Sequence, residues 1–258
     1  MQKPRSVHSK GYRWSVTELM LNPCQHCGLD GRLAANIDSI VRLVRKKDWD
    51  WVMLLDGPER SGKSELATQV QYHANYCTLI DNGTDFMISL EGKRVPSNPF
   101  SDPLRNLDYT VWTFEELKRV AIKATKGTAL VFHESGIYGR EYKKKANMEA
   151  IRVLTTIGAK NLLFIMTFPS MHMLDPYLRY HRIRTRGYVH TVGGERGYVQ
   201  WSVRPFGPWN EGLAMPFMEA FTCRFRECGG SLSELWAAVR EKDVYFKQHL
   251  LEGSSMEG

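Results

Sequence analysis

Trp51-Val-Met-Leu-Leu55-Asp56-Gly57-Pro-Glu-Arg-Ser-Gly62-Lys63-Ser64 is the stretch from which the rest of the chain can be read. Trp51 to Leu55 is a compact apolar run, the pattern of a strand buried on both faces. Gly57 to Ser64 fits G-x-x-x-x-G-K-[ST] without a mismatch, and a helix-forming segment from Lys63 to Tyr76 follows. Strand, glycine loop and helix in that order are what phosphate binding requires. The glycines let backbone N–H groups wrap around phosphate oxygens, and the helix N-terminus adds a positive dipole. The loop predicts contact with a nucleotide through Gly57, Pro58, Glu59, Arg60, Ser61, Gly62, Lys63, Ser64 and Glu65. Lys63 neutralises the β- and γ-phosphates, and the Ser64 hydroxyl ligates Mg²⁺.

Outward from this loop, apolar strands alternate with helices. Ile37, Ile40, Val41 and Val44 recur at helical spacing before the loop strand. Thr78-Leu-Ile80 reads as a second short strand leading to Asp81, and residues 92–108 as a loop rich in Pro, Asn, Ser and Asp. Thr113 and Glu116 form a capping box that opens a helix towards Ala124. Thr128 to Phe132 and Asn161 to Thr167 are further buried strands, and Lys143 to Ile157 has a helical pattern. The expected fold is α/β, a mainly parallel sheet flanked by helices. Beyond Arg182 two alternating runs flank Gly193-Gly194-Glu195-Arg196, which predicts an added β-hairpin. Two C-terminal helices are expected, Met215 to Arg226 and Ser231 to Leu251. This divides the chain into an N-terminal arm over 1–34, a core over 35–204 and a helical extension over 205–258.

The 258 residues are 43% hydrophobic and 24% charged, which excludes a disordered or collagen-like chain. The longest apolar run, Asn161 to Phe168, is far short of the ~20 residues of a membrane span. Met1 to Arg13 is basic without an apolar stretch behind it, so the expectation is a soluble, cytoplasmic protein. Net charge is +7, and between Arg179 and Arg204 six Arg face only Glu195. A local cationic field of this kind favours a polyanion such as nucleic acid.

Five cysteines do not suggest a disulfide framework. Cys24 and Cys27 have the spacing of half a zinc knuckle, and Cys223 and Cys228 make a looser second pair. Together they are a possible four-thiolate zinc site, but reduced structural cysteines are the favoured reading.

Ala129-Leu-Val-Phe132-His133-Glu134 is an apolar strand followed by an acid. The aspartate that holds Mg²⁺ in such strands is replaced by His133, so Asp56 or Asp81 is a candidate to compensate. Glu134 stands where a carboxylate polarises the attacking water. Thr167, ending the next strand, is either a γ-phosphate sensor or the cap of the turn before Pro169.

These elements resemble the P-loop NTPases with an extra central strand and a catalytic glutamate. Within them the chain is similar to the FtsK/HerA-like DNA-translocating and packaging ATPases, including zonula-occludens-toxin-like members. The resemblance covers about Trp51 to Val203. It rests on Gly57–Ser64, Ile80-Asp81-Asn-Gly83, Val131-Phe-His-Glu134 and Ala159–Thr167 running into Leu174-Asp175-Pro176-Tyr-Leu-Arg179. It implies a RecA-like core that hydrolyses ATP with Mg²⁺ as a homo-oligomeric ring on DNA, in genome packaging or transfer. Catalysis would use Lys63 and Glu134, with Asp81 and Thr167 near the nucleotide. An arginine from the neighbouring subunit would complete it, Arg152 or Arg179 ahead of Arg140 and Arg182, or Arg60 in cis. ATP is favoured because no Asn-Lys-x-Asp guanine motif occurs. Arg140, Lys143, Lys144 and Lys145 form a second basic cluster suited to the DNA backbone. The alternatives are a nucleotide or nucleic-acid kinase, and a non-hydrolysing ATP-gated assembly protein.

Overall fold

The computed structural model describes residues 27–47, 49–81, 86–88, 94–96, 103–133, 152, 160–204, 216–228 and 232–253. Glu134, Arg140, Lys143–Lys145 and Cys24, and the expected 143–157 helix apart from helical Arg152, lie outside them.

The helices are α1 (Gly31–Lys46), α2 (Lys63–Asp81), α3 (Phe114–Lys123) and α4 (Ser233–Gly253). Strands β1 (Trp51–Asp56), β4 (Thr110–Val111), β5 (Ala129–His133), β6 (Leu163–Phe168), β7 (Ile183–Val192), β8 (Glu195–Val203) and β9 (Met218–Arg224) form one sheet. Two short strands, β2 (Phe86–Ile88) and β3 (Arg94–Pro96), pair apart from it. The order is β4-β5-β6-β1-β7-β8-β9. Strands β4 to β7 run parallel, and β8 and β9 continue antiparallel.

Every residue of β1, β5 and β6 is buried, because helices cover both faces of the parallel part. One face carries Met53, Leu55, Val131 and Ile165 against Leu33 and Ile37 of α1, Leu66 and Val70 of α2, and Leu235 and Val239 of α4. The other carries Leu54, Leu130, Phe132 and Phe164 against Leu117 and Ala121 of α3. This is the expected α/β, RecA-like P-loop fold, with β6 inserted between the loop strand β1 and the strand β5 that ends at His133.

The capping box is present: Glu116 N–H donates to Thr113 Oγ1, and the Glu116 carboxylate accepts from Thr113 N–H. The hairpin forms at Gly193-Gly194. Three expectations are corrected. Thr78–Ile80 is not a strand but the C-terminal part of α2, since no Gly or Pro interrupts Lys63 to Asp81. Met218–Arg224 is not helix but β9, drawn into the sheet by pairing with β8. Within the loop expected over 92–108, Arg94–Pro96 is strand β3 and Pro103 opens a 3₁₀ segment, Pro103–Tyr109. Helix α1 starts at Gly31, and β9 and α4 join the same sheet and core as the loop strand.

Candidate functional site: a phosphate loop at the C-terminal ends of the strands

Parallel pairing aligns the C-terminal ends of three strands. His133 of β5 is the register partner of Thr167 of β6, and Thr167 is the partner of Leu55 of β1. The position before the expected catalytic acid, the expected sensor and the entrance to the phosphate loop thus lie in one row. At ~4.8 Å between strands, His133 is roughly 10 Å from Leu55 across the sheet.

The loop turns sharply at the end of β1. Gly57, Arg60 and Gly62 take φ of 141°, 60° and 103°, and α2 begins at Lys63. Pro58, Glu59 and Arg60 are exposed, while Ser61 is fully buried and its Oγ has no partner among the described residues. Lys63 Nζ folds back over the loop and donates to the carbonyl oxygens of Gly57 at 2.8 Å and Pro58 at 2.6 Å. A lysine ammonium held at the loop by two carbonyls, at the N-terminus of α2, suits phosphate oxygens. Ser64 opens α2 half-buried, where its hydroxyl suits a phosphate-bound Mg²⁺.

Other expected site residues are placed differently. Glu65 turns away from the loop and accepts from Cys228 N–H at 2.6 Å, and burial raises its pKa. Asp81 ends α2, roughly 27 Å along the helix from Lys63. Asp56 is 1% exposed and accepts both Arg186 Nε and Nη2 at 2.8 Å and Met171 N–H at 3.0 Å. Both oxygens are engaged, so Asp56 anchors the loop between β6 and β7 rather than compensating for an absent metal ligand. Sequence reasoning missed Arg186 in this role; the signal was an acid directly before the glycine loop with an arginine on an adjacent strand.

His133 is buried, with Nδ1 3.3 Å from Thr167 Oγ1 and Nε2 unpartnered among the described residues. Burial lowers its pKa to about 4, with Asp243 raising and Lys247 lowering it further along. It is therefore a neutral imidazole at pH 7, packed on Trp112 at 5.5 Å.

No family model matches the sequence, and no curated protein does. Among solved structures the chain is similar to C. elegans PCH-2, at 18% identity and TM-score 0.37, over 62% of this chain and 42% of that one. It thus spans less than half of that protein's length. It is also similar to the N-terminal domain of zonular occludens toxin from Neisseria meningitidis, at 13% identity and TM-score 0.31, over 71% of this chain and 97% of that domain.

The arginine-rich segment is more occupied than its composition suggests. Arg182 pairs with Asp50, Arg186 with Asp56, and Arg204 donates to the carbonyls of Tyr180 and Arg179 while lying over Phe217. Arg179 stands over the Tyr180 ring at 4.4 Å and donates to its hydroxyl. Arg152 is exposed.

The segments that carry Cys27 and Cys223–Cys228 do approach: Arg226 N–H donates to Gly28 O at 3.2 Å. Cys27 Sγ lies 3.4 Å from His73 Nδ1, and burial pushes the Cys223 and Cys228 thiols up to about 12. Among the described residues no three His, Cys, Asp or Glu side chains converge as a metal ion requires. No described helix is long and apolar enough to cross a membrane.

Proposed function

We propose that the chain is an ATP-hydrolysing motor subunit that binds and moves DNA as a homo-oligomer, in genome packaging or transfer. The observation that carries this reading is the row His133–Thr167–Leu55, which sets the end of β5 and the end of β6 beside a strained, lysine-covered phosphate loop. Lys63 and the loop N–H groups hold the phosphates, and Ser64 holds Mg²⁺. Glu134, one residue beyond His133, polarises water, and Thr167 reports the γ-phosphate to the Pro169–Met171 turn. Arg152 or Arg179 of a neighbouring copy steadies the charge that develops on the phosphoryl group. The surplus of arginine along β7–β8 supports a nucleic-acid partner.

A second reading, an ATP-gated assembly protein that does not turn over, draws on His133. A neutral imidazole is a poor ligand for Mg²⁺, which prefers oxygen. Steady-state phosphate release separates the two, using wild type, Lys63→Ala and Glu134→Gln with and without DNA. The motor reading expects DNA-stimulated hydrolysis that drops about 10²–10³-fold in each variant. Tight ATP binding without turnover in wild type would establish the assembly protein, and phosphate transfer to an acceptor would establish a kinase.

A further inference from the structure

The outer face of β7–β9 carries a continuous ribbon of cations and rings. The Arg186 guanidinium stands 5.4 Å from the Tyr188 ring centre. Tyr188 stacks with His190 at 5.8 Å and 17° between planes. His190 meets Tyr198 at 6.1 Å, its register partner on β8. Tyr198 lies 5.3 Å from the guanidinium of Arg224, its partner on β9. Alternation along the strands sends Val189, Val199 and Cys223 into the core and leaves the ribbon outside. Tyr188 is 36% exposed and the Arg224 side chain 55%.

Cross-strand pairing alone explains why neighbouring rings touch. It does not explain why a ladder of three rings on the outer face, Tyr188 exposed and His190 and Tyr198 half-buried, ends in a guanidinium on each side. We propose that this face is a stacking platform for single-stranded nucleic acid, and the proposal rests on the reading of the chain as a nucleic-acid-handling ATPase. Rings offer π-faces to unpaired bases of any identity, while the Arg224 guanidinium, whose carboxylate partner is exposed, meets a phosphate; Arg186 stays on Asp56. A duplex keeps its base faces inside its own stack and gains nothing from the rings.

Charge agrees with that occupant. Arg184, Arg186, Arg196 and Arg224 belong to these strands, against Glu195 and Glu219, with Asp56 buried beneath Arg186. The one carboxylate paired with Arg224 is Glu195, itself 61% exposed, so a phosphate can take its place without uncovering a buried charge. The ribbon also begins at the nucleotide site: Tyr188 is the register partner of Asp56, and Arg186 holds the Asp56 carboxylate immediately before Gly57.

The test is fluorescence anisotropy of the full chain with a labelled oligothymidylate and with a duplex of equal length at one fixed salt concentration. Wild type should bind the single strand at least about 10-fold more tightly than the duplex. Tyr188→Ala with Tyr198→Ala should lose about 10-fold per ring, and Tyr188→Phe with Tyr198→Phe should keep wild-type affinity. Arg224→Gln, at an exposed position that folding does not need, should lower the slope of log affinity against log salt by about one. Equal binding of duplex and single strand, or alanine variants that bind as wild type does, would sink the platform and leave the motor reading standing. Absence of binding to either DNA, with ATP binding intact in the same preparation, would remove the motor's DNA partner as well.

Discussion

A Cβ at position 57 would stand 2.0 Å from the carbonyl oxygen of Val189, on a backbone already at φ 141°. Neither atom is the end of a flexible side chain, so the strand or the loop must move. Gly57→Ala should lower stability by on the order of 3 kcal/mol in urea unfolding and abolish ATP binding. Gly193→Ala is the control: φ is 58° but nothing lies within 4 Å, so only the left-handed strain of about 1 kcal/mol remains. His133 gives a prediction of another kind. Burial holds its pKa at about 4, whereas in the unfolded chain it sits near the ordinary histidine value of 6.5. Above that value both states are neutral and the fold has its full stability. As pH falls from 6.5 to 4 the unfolded chain takes up a proton that the native chain refuses, removing on the order of 3 kcal/mol. His133→Gln should flatten this window in unfolding curves measured across pH, and an unchanged acid limb would show that another group controls it.

At the scale of elements, the loop strand is held from both sides. Arg186 on β7 and Met171 N–H after β6 share the Asp56 carboxylate. Removing the guanidinium strands a charge that is 1% exposed, so Arg186→Ala should cost about 3 kcal/mol. Adding Asp56→Asn to it should recover part of that loss, and the coupling can be read from a double-mutant cycle. The loop and its strands were legible in sequence because buried parallel strands read as unbroken apolar runs and the glycines fall at fixed spacing. The ion pair was not, because residues 56 and 186 meet only through sheet order. Helix α2 misled for a related reason. Gln69, Gln71, His73 and Asn75 are buried and polar, so no apolar stripe marks the helix. Their partners are supplied by the fold: Gln71 donates to Tyr109 O at 3.0 Å, and Asn75 Oδ1 accepts from Ala129 N–H at 2.7 Å. With periodicity silent, Thr78-Leu-Ile80 looked like strand on residue type alone, although the first helix-breaking residue is Gly83. Met218–Arg224 shows the converse, a segment with good helix formers that becomes strand because β8 offers an open edge.

Across the whole molecule, the C-terminal helix closes over the end of the site row. Leu235 and Val239 of α4 enter the same core as β1, and Phe246 stacks on Trp112 at 5.5 Å and 7°. Trp112 in turn packs on His133, while Asp243 and Lys247 supply the nearest charges that act on it. The α4 groups that act on His133, and the ring that covers its neighbour Trp112, stand more than a hundred residues away in sequence, so part of its burial is assembled only when α4 docks. Loosening that docking should move the histidine. Phe246→Ala removes the ring that covers Trp112, lets water towards Nε2, which has no partner among the described residues, and should raise the His133 pKa from about 4 towards 6.5. Global stability should fall by about 3 kcal/mol through the lost packing, and the acid window of the fold should narrow because native and unfolded pKa values converge. Histidine Cε1 proton shifts followed by NMR across pH measure the first effect, and urea midpoints at two pH values measure the second. A His133 resonance that titrates as in wild type after Phe246→Ala would place the source of its burial in the sheet rather than in the helix that closes over it.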